Sequence, residues 1–280
     1  MKPFVLITGV SSGIGLDCAR LLIEQGYQVI GSVRRAEDGV RVSQLLGADF
    51  FPLLLDVTDS AALPAAVREV EARVGAAGLA ALVNNAGIAS PCGPLLLQPL
   101  AEVRSLFETN LFGLLALTQA FLPLLGARRG HAGPAGRLIN ISSLAGRLAT
   151  PLTGAYAASK HALEAVTDAL RVELGIYGIE VVAIEPGPIR TPIWAKAQPD
   201  PRYRDSDYAA PMQALQQLLA GHAQQGAPVA QVSRALLSAL QAVRPKPRYP
   251  LRRIWYLVPL LPRRWLDRLL AKKLGLLRLK

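Results

Sequence analysis

Tyr156 and Lys160 stand four residues apart in the stretch TGAYAASKHALEAVTDALRVEL, at the head of an otherwise apolar helical pattern. Positions i and i+4 share one face of a helix, so the amine can be placed beside the phenol. A free tyrosine ionises near about pH 10, too high for efficient proton exchange at neutral pH. A neighbouring ammonium favours the phenolate and is expected to lower that value. The pair reads as a phenol tuned for proton transfer. A third group must then hold the reacting oxygen, and in INISSLAG both Ser142 and Ser143 qualify by their chemistry. Upstream, TGVSSGIG at 8–15 lies between a short apolar run and a helical pattern. Gly9, Gly13 and Gly15 there permit a tight turn, close approach of backbone to a pyrophosphate and close helix packing, with N–H donors at the helix start.

Elements that could position these groups are legible in the hydrophobic pattern. Apolar runs at 4–7, 29–33, 51–55, 79–83, 137–142 and 180–185 alternate with amphipathic stretches at 14–25, 61–74, 102–125 and 156–175. Continuous apolar strands alternating with helices predict an α/β fold, a Rossmann-type doubly wound parallel sheet covered on both faces. Its crevice should open at the carboxyl ends of the strands. The connection 188–228 differs, because Pro188, Pro192, Pro199, Pro201, Pro211 and Pro228 frame one short helical pattern around 212–220. A long insert at that place predicts a lid over the substrate. The segment 126–136, GARRGHAGPAG, reads as a surface loop, and no internal repeat is present.

The chain has 280 residues, 51% of them hydrophobic and 18% charged, with a net charge of +11. Eleven Lys and Arg fall in 245–280 against the single acid Asp267, so that segment carries +10 and the remainder is almost neutral. This predicts a catalytic domain over 1–244, containing the lid, followed by a basic extension over 245–280. Two cysteines, Cys18 and Cys92, make neither a disulfide framework nor a metal spacing, and no metal is expected. The N-terminus lacks the features of a signal peptide, and no run of about 18 apolar residues predicts a spanning helix. A cytoplasmic location is the expectation.

TGVSSGIG, followed by NNAG at 84–87 and by Tyr156-x-x-x-Lys160, resembles the short-chain dehydrogenases/reductases over about 4–191. The resemblance implies that Thr8, Gly9, Ser11, Ser12, Gly13, Ile14 and Gly15 form the loop under a dinucleotide. It implies that Asp56 recognises the adenine, with the Val57 backbone beside it, and that Asn84, Ala86 and Gly87 support sheet and cofactor. Tyr156 would be the general acid for carbonyl reduction, and Lys160 would also bind the nicotinamide ribose. The family serine stands thirteen positions before the tyrosine, which is Ser143, leaving Ser142 to satisfy loop backbone. Asn110 in ETNLFG would hold a relay water through its backbone. In PGPIRTP, Pro186 and Gly187 would pack beside the nicotinamide, with the Ile189 backbone and the Thr191 hydroxyl on its carboxamide. At the end of the second strand, Val33 stands where an acid would hold a ribose 2′-hydroxyl, and Arg34 and Arg35 follow. A 2′-phosphate needs cations and is repelled by a carboxylate. The expected cofactor is therefore NADP(H), with Arg34 its main phosphate ligand and Ser32 or Arg35 as helpers.

These observations predict an NADP(H)-dependent oxidoreductase interconverting an alcohol and its ketone or aldehyde. Ile193, Trp194, Tyr203, Tyr208, Met212, Leu215, Leu218 and Leu219 either line a pocket for a lipophilic substrate or pack the lid onto the body. Steroid and retinol dehydrogenases are the members it resembles in style. Other readings are a 3-oxoacyl-thioester reductase, or a non-catalytic NADPH sensor or membrane scaffold. Past an edge strand near 248–251 and an apolar run at 254–261, a helix would place Arg264, Arg268 and Lys272 on one stripe. Trp265, Leu266, Leu269, Leu270, Leu274 and Leu277 fall on another. Such a helix suits peripheral membrane contact through 252–280, or docking on the enzyme's own substrate mouth or on a partner subunit. Nucleic acid is not expected, because aromatic residues are not interleaved with the cations. By resemblance, the helices at 102–125 and 156–175 would pair copies into a homodimer or homotetramer.

Overall fold

A computed structural model of the chain describes residues 2–196, 200–252 and 260–276. Seven strands, β1 (Phe4–Ile7), β2 (Gln28–Val33), β3 (Phe50–Leu54), β4 (Leu79–Asn84), β5 (Arg137–Ile141), β6 (Glu180–Glu185) and β7 (Arg248–Pro250), form one sheet. Its order is β3-β2-β1-β4-β5-β6-β7, with every neighbouring pair parallel. Parallel neighbours require crossovers, and the helices supply them. They are α1 (Gly13–Glu24), α2 (Ala36–Leu46), α3 (Leu63–Val74), α4 (Leu100–Phe107), α5 (Gly113–Phe121), α6 (Gly154–Glu173), α7 (Ile193–Lys196), α8 (Ala209–Gln225), α9 (Ala230–Gln241) and α10 (Arg263–Leu274).

Side-chain alternation along each strand divides the core. In β1, Val5 and Ile7 enter one apolar layer with Cys18 and Leu22 of α1, Val42 of α2, and Val232 and Leu236 of α9. Phe4 and Leu6 enter the opposite layer with Val70 of α3 and Leu117 and Phe121 of α5. A period of two makes this separation unavoidable once both faces are covered. The winding reverses between β1 and β4, which leaves a crevice at the strand ends.

Strand positions agree with the apolar runs to within a residue or so, whereas the helices depart from expectation in four places. Neither α2 nor α9 was expected. The first buries only Gly39 and Val42, too thin a stripe to stand out, whereas α9 buries Val232, Ser233, Leu236, Ala239 and Leu240. The pattern at 102–125 is not one regular helix, since a π-helical turn at Glu108–Phe112 separates α4 from α5. In length and composition 100–125 could cross a bilayer, yet half of its apolar window is buried inside the fold. Finally, the helical pattern in the lid extends through all of α8.

The lid is pinned at its base. Ile189 bridges Ala227 in parallel, Arg190 N–H donates to Ala227 O at 3.0 Å, and Ala227 N–H donates to Pro188 O at 2.9 Å. Arg202 reaches across to Glu102 of α4 at 2.7 Å. Residues beyond 245 are built into this body at two points. β7 pairs with β6, and α10 packs on α8 with Leu266 and Leu274 buried. The stripe expected along α10 is thereby split, because Trp265 and Leu269 stay exposed. Leu277 and most of the run at 254–261 lie outside the described residues.

Candidate active site

The crevice at the strand ends is a cleft of ≈ 900 Å³. One end is formed by the β1–α1 loop. Gly9 takes φ +71°, and Gly15 sits so close beneath it that a Cβ there would meet the Gly9 carbonyl and lie 2.6 Å from Asn85 Nδ2. Only glycine allows this contact. Asn85 completes the loop by donating from Nδ2 to Thr8 O at 2.8 Å and to Gly9 O at 3.1 Å. Thr8 Oγ1 in turn accepts from the Asn85 and Ala86 amides at 3.0 and 2.9 Å. These bonds fasten the ends of β1 and β4 to each other, so the loop is held before any ligand arrives.

Lining residues include Gly9, Ser11, Ser12, Gly13 and Ile14 at this end, with Arg34 and Arg35 on the rim. Asp56, Val57, Ala86 and Gly87 follow, and then Ser143, Tyr156, Lys160, Pro186, Gly187, Ile189 and Thr191. Four residues expected at the cofactor or the reaction do not line the cleft: Thr8, Gly15, Asn84 and Asn110. Each is instead fixed behind it. Asn84 donates to Thr118 Oγ1 at 2.8 Å and to Asn140 Oδ1 at 2.9 Å, and Asn140 donates to Thr167 Oγ1 at 2.8 Å. This buried relay ties α5, β4, β5 and α6 into one frame, so Asn84 supports the sheet and does not reach the cleft. Asn110, within the π-helical turn, accepts from Ile88 N–H at 2.8 Å and donates to Ile88 O at 2.8 Å and Ser159 Oγ at 3.1 Å.

The proton-transfer group is assembled from α6 and the β5–α6 loop. Ser143 and Tyr156 line the cleft together, and the serine hydroxyl favours the phenolate. Lys160, buried, donates from Nζ to Ile141 O at 3.0 Å. Two expectations need correction here. Lys160 does not lower the phenol's pKa in this geometry: burial pushes Tyr156 up, and the opposing influence is Ser143. Desolvation dominates because the phenolate would be enclosed, while the ammonium is turned to a carbonyl. The lysine itself is pushed down to about 8 by burial, against the opposing pull of Glu164. The loop backbone is served by Ser143 and not, as expected, by Ser142. Ser143 Oγ accepts from Ala145 N–H at 3.1 Å as well as meeting the phenol, whereas buried Ser142 Oγ has no partner among the described residues.

Behind this group lies a buried set of charges that sequence reasoning missed. Glu185 precedes Pro186 and is 2% exposed. It pairs with Arg147 at 3.1 Å and Arg248 at 3.2 Å, and Arg248 also reaches Glu164 at 3.0 Å and Asp168 at 2.5 Å. Burial and the neighbouring Glu164 raise Glu185 to about 7, opposed by the two arginines. Nothing local in the sequence connects Arg248 with α6. The cofactor rim was also incompletely read, since α2 brings Asp38 back to it. Asp38 is held below the usual carboxylate range, first by Arg41 and then by Arg35.

The residues present fit a dinucleotide with a 2′-phosphate. The glycine cradle admits a pyrophosphate at the start of α1, and the rim carries guanidinium groups. At the far end, a Cβ on Gly87 would lie 3.2 Å from Asn110 Oδ1 and 3.7 Å from Lys160 Nζ, so this wall stays open beside the amine. The profile of the short chain dehydrogenase family matches residues 3–202. The chain belongs to that family. As a short-chain dehydrogenase it is an oxidoreductase, and its relatives agree over most of its length. An NADPH-dependent 3-dehydrocapnine reductase from Ornithobacterium rhinotracheale is 41% identical over 97% of both chains. Human retinol dehydrogenase 5 is 38% identical over 69% of this chain and 58% of its own. Among solved structures, a short-chain dehydrogenase from Streptomyces avermitilis superposes with a TM-score of 0.76 at 30% identity, covering 98% of each chain. A closed form of serine dehydrogenase complexed with NADP+ gives 0.73 at 25% identity, covering 88% of this chain and 93% of the other.

Proposed function

We propose that this short-chain dehydrogenase is an NADP(H)-dependent reductase of a ketone or aldehyde carried on a lipophilic molecule, running in reverse as an alcohol dehydrogenase. The observation that carries the reading is that Ser143, Tyr156 and buried Lys160 line one cleft that ends at a glycine cradle and an arginine rim. Ser11, Ser12, Gly13 and Ile14 hold the pyrophosphate, Arg34 the 2′-phosphate, and Asp56 and Val57 the adenine. Asp56 Oδ1 accepts from the Thr58 amide at 2.9 Å and the Thr58 hydroxyl at 2.8 Å, which orients the carboxylate. Pro186, Gly187, Ile189 and Thr191 enclose the nicotinamide end, and Lys160 reaches the adjoining ribose. When bound, the nicotinamide supplies the hydride.

The protein handles the accompanying proton. Ser143 holds the carbonyl oxygen next to the phenol, and Tyr156 gives its proton to that oxygen as negative charge develops. The raised pKa keeps Tyr156 protonated at neutral pH, as an acid for reduction must be. Lys160 stays mostly charged at pH 7, and Ser143, the influence that opposes the rise of the phenol's pKa, stabilises the phenolate left behind. Asn110 positions the wall at Ile88 that faces this group.

A lipophilic substrate is supported by the apolar wall Ile88, Ala89, Ile193 and Trp194. The reductase from Ornithobacterium rhinotracheale is named for a 3-dehydro compound, which supports a carbonyl as the group reduced. The extension supports delivery from an anionic bilayer in the cytoplasm. Leu260, Leu261, Trp265 and Leu269 are exposed, and Arg263, Arg264, Arg268 and Lys272 are exposed around them. Copies pair through α4, α5, the π-helical turn between them and α6, where Phe112 of the turn and Val172 of α6 are exposed. The test is NADPH oxidation, with NADH in parallel, over a panel of long-chain ketones and aldehydes, steroids and retinal, with Tyr156→Phe as control. Turnover that is NADPH-selective and lost in the variant is the expected result. Tight NADPH binding with no turnover on any carbonyl would refute it. Sedimentation with phosphatidylglycerol vesicles at low salt tests the membrane contact.

A further inference from the structure

Tyr156 enters α6 from a turn that is unfavourable for the residue it contains. Thr153 N–H donates to Thr150 O at 3.3 Å, Pro151 occupies the second position, and Leu152 has φ +66°. Proline cannot take a positive φ, so this is a type II turn, whose third position favours glycine. Leu152 is the only non-glycine residue with positive φ among the described residues. An L side chain in that region is strained unless its surroundings hold it there.

Those surroundings come from outside the turn. The Leu152 carbonyl accepts from Gly93 N–H at 2.8 Å. Its side chain, 5% exposed, belongs to a buried cluster with Cys92, the lid residues Tyr203, Met212, Leu215 and Leu219, and Leu274 at the end of α10. Gly93 is fitted just as closely, since a Cβ there would lie 2.6 Å from the Tyr203 ring. The start of α6 has no side-chain cap of its own. The Thr153 hydroxyl donates backwards to Thr150 O at 3.0 Å, while the Thr153 carbonyl accepts from Ala157 N–H at 3.0 Å. The direction in which Tyr156 leaves the turn is therefore set by whatever holds Leu152.

We propose that α10 is a positioning element for Tyr156: Leu274 completes the cluster that clamps Leu152, so the C-terminal helix and the lid residues of that cluster together hold the turn from which the tyrosine projects. The proposal rests on the reading of Tyr156 as the proton carrier, but its structural half can be measured separately. In this arrangement the extension contributes to catalysis without touching substrate or cofactor. Loss of Leu274 packing lets the turn relax, so the phenol spends less time against Ser143.

The test is amide hydrogen exchange on the full-length chain, with NADPH oxidation using decanal as the probe carbonyl. Leu274→Ala is expected to raise exchange at the Gly93, Thr153 and Ala157 amides at least tenfold. The Ala183 amide, bonded to Pro247 O inside the sheet, should not change. kcat should fall at least tenfold with the NADPH Kd unchanged, and Leu274→Met should restore both. Leu152→Gly removes the need for the clamp, so adding Leu274→Ala in that background should alter exchange less than twofold. Unchanged exchange at the three amides in Leu274→Ala overturns the proposal whatever the activity. An equally large effect of Leu274→Ala in the Leu152→Gly background also overturns it. Exchange that responds in a protein with no carbonyl turnover keeps the coupling and removes the reductase reading instead.

Discussion

Arg34→Ala separates the phosphate ligand from its neighbours, because the guanidinium groups at the cofactor rim are not equally free. Arg34 is exposed and makes no hydrogen bond or ion pair among the described residues. Arg35 is held 3.1 Å from Asp38 and 3.7 Å from Glu37, and Asp38 also takes Arg41 at 2.8 Å. A phosphate arriving here meets one unshared cation and one already engaged. A hydrogen bond to a charged group contributes roughly 1.5–3 kcal/mol, and about 1.4 kcal/mol is a tenfold change in Kd. Arg34→Ala should therefore weaken NADPH by about 10- to 150-fold. NADH has no 2′-phosphate to lose and should change by less than about twofold. Arg35→Ala should cost NADPH less than Arg34→Ala, since breaking its pairs with Asp38 and Glu37 offsets part of any gain. Titration of cofactor fluorescence at low and high salt measures all of these. Because the rim is exposed, the selectivity should shrink as salt shortens the screening length. Equal losses for NADPH and NADH, or no loss for either, would remove Arg34 from the 2′-phosphate.

Tyr156→Phe should lower kcat by about 10²- to 10⁴-fold, the usual worth of a positioned acid, and leave NADPH binding within about twofold. Lys160 titrates near about 8 in the fold against 10.5 as the ordinary value. Between those limits the unfolded chain binds the extra proton, so this residue makes stability rise with pH. The gain is about 3 kcal/mol across the window, and urea unfolding should show it as a slope present in the wild type and missing in Lys160→Met. The buried thiols of Cys18 and Cys92 push the other way in both proteins and cancel in the difference. Arg248→Ala strips the buried carboxylates Glu164 and Glu185 of a partner and should cost about 3–5 kcal/mol at pH 8. Because burial already raises Glu185, protonation should recover part of that loss at pH 5.5, and a loss that is the same at both pH values would show that charge is not its source.

What the sequence by itself determined are the features that depend on neighbours close along the chain. Strand runs, the glycine loop and the i, i+4 placement of Tyr156 and Lys160 are of this kind, because periodicity and backbone freedom act over a few residues. The family motifs were legible for the same reason, and they brought the cofactor and the proton carrier into one expected cleft. Only the tertiary structure decided how those groups are held and charged. Ser143 and Ser142 are adjacent and chemically alike, yet one meets the phenol and the other has no partner, which follows from how the β5–α6 loop is buried. Asp38 and Arg41 reach the cofactor rim because α2 folds back over β2. Arg248 meets Glu164 across 84 residues of chain, and Leu274 closes a cluster around Leu152. The tail helix carried one apolar stripe in the sequence, and packing on α8 divided it between a docked face and an exposed one. Desolvation and long-range pairing set each of these outcomes, and both depend on which surfaces meet, a quantity that exists only once the chain has folded.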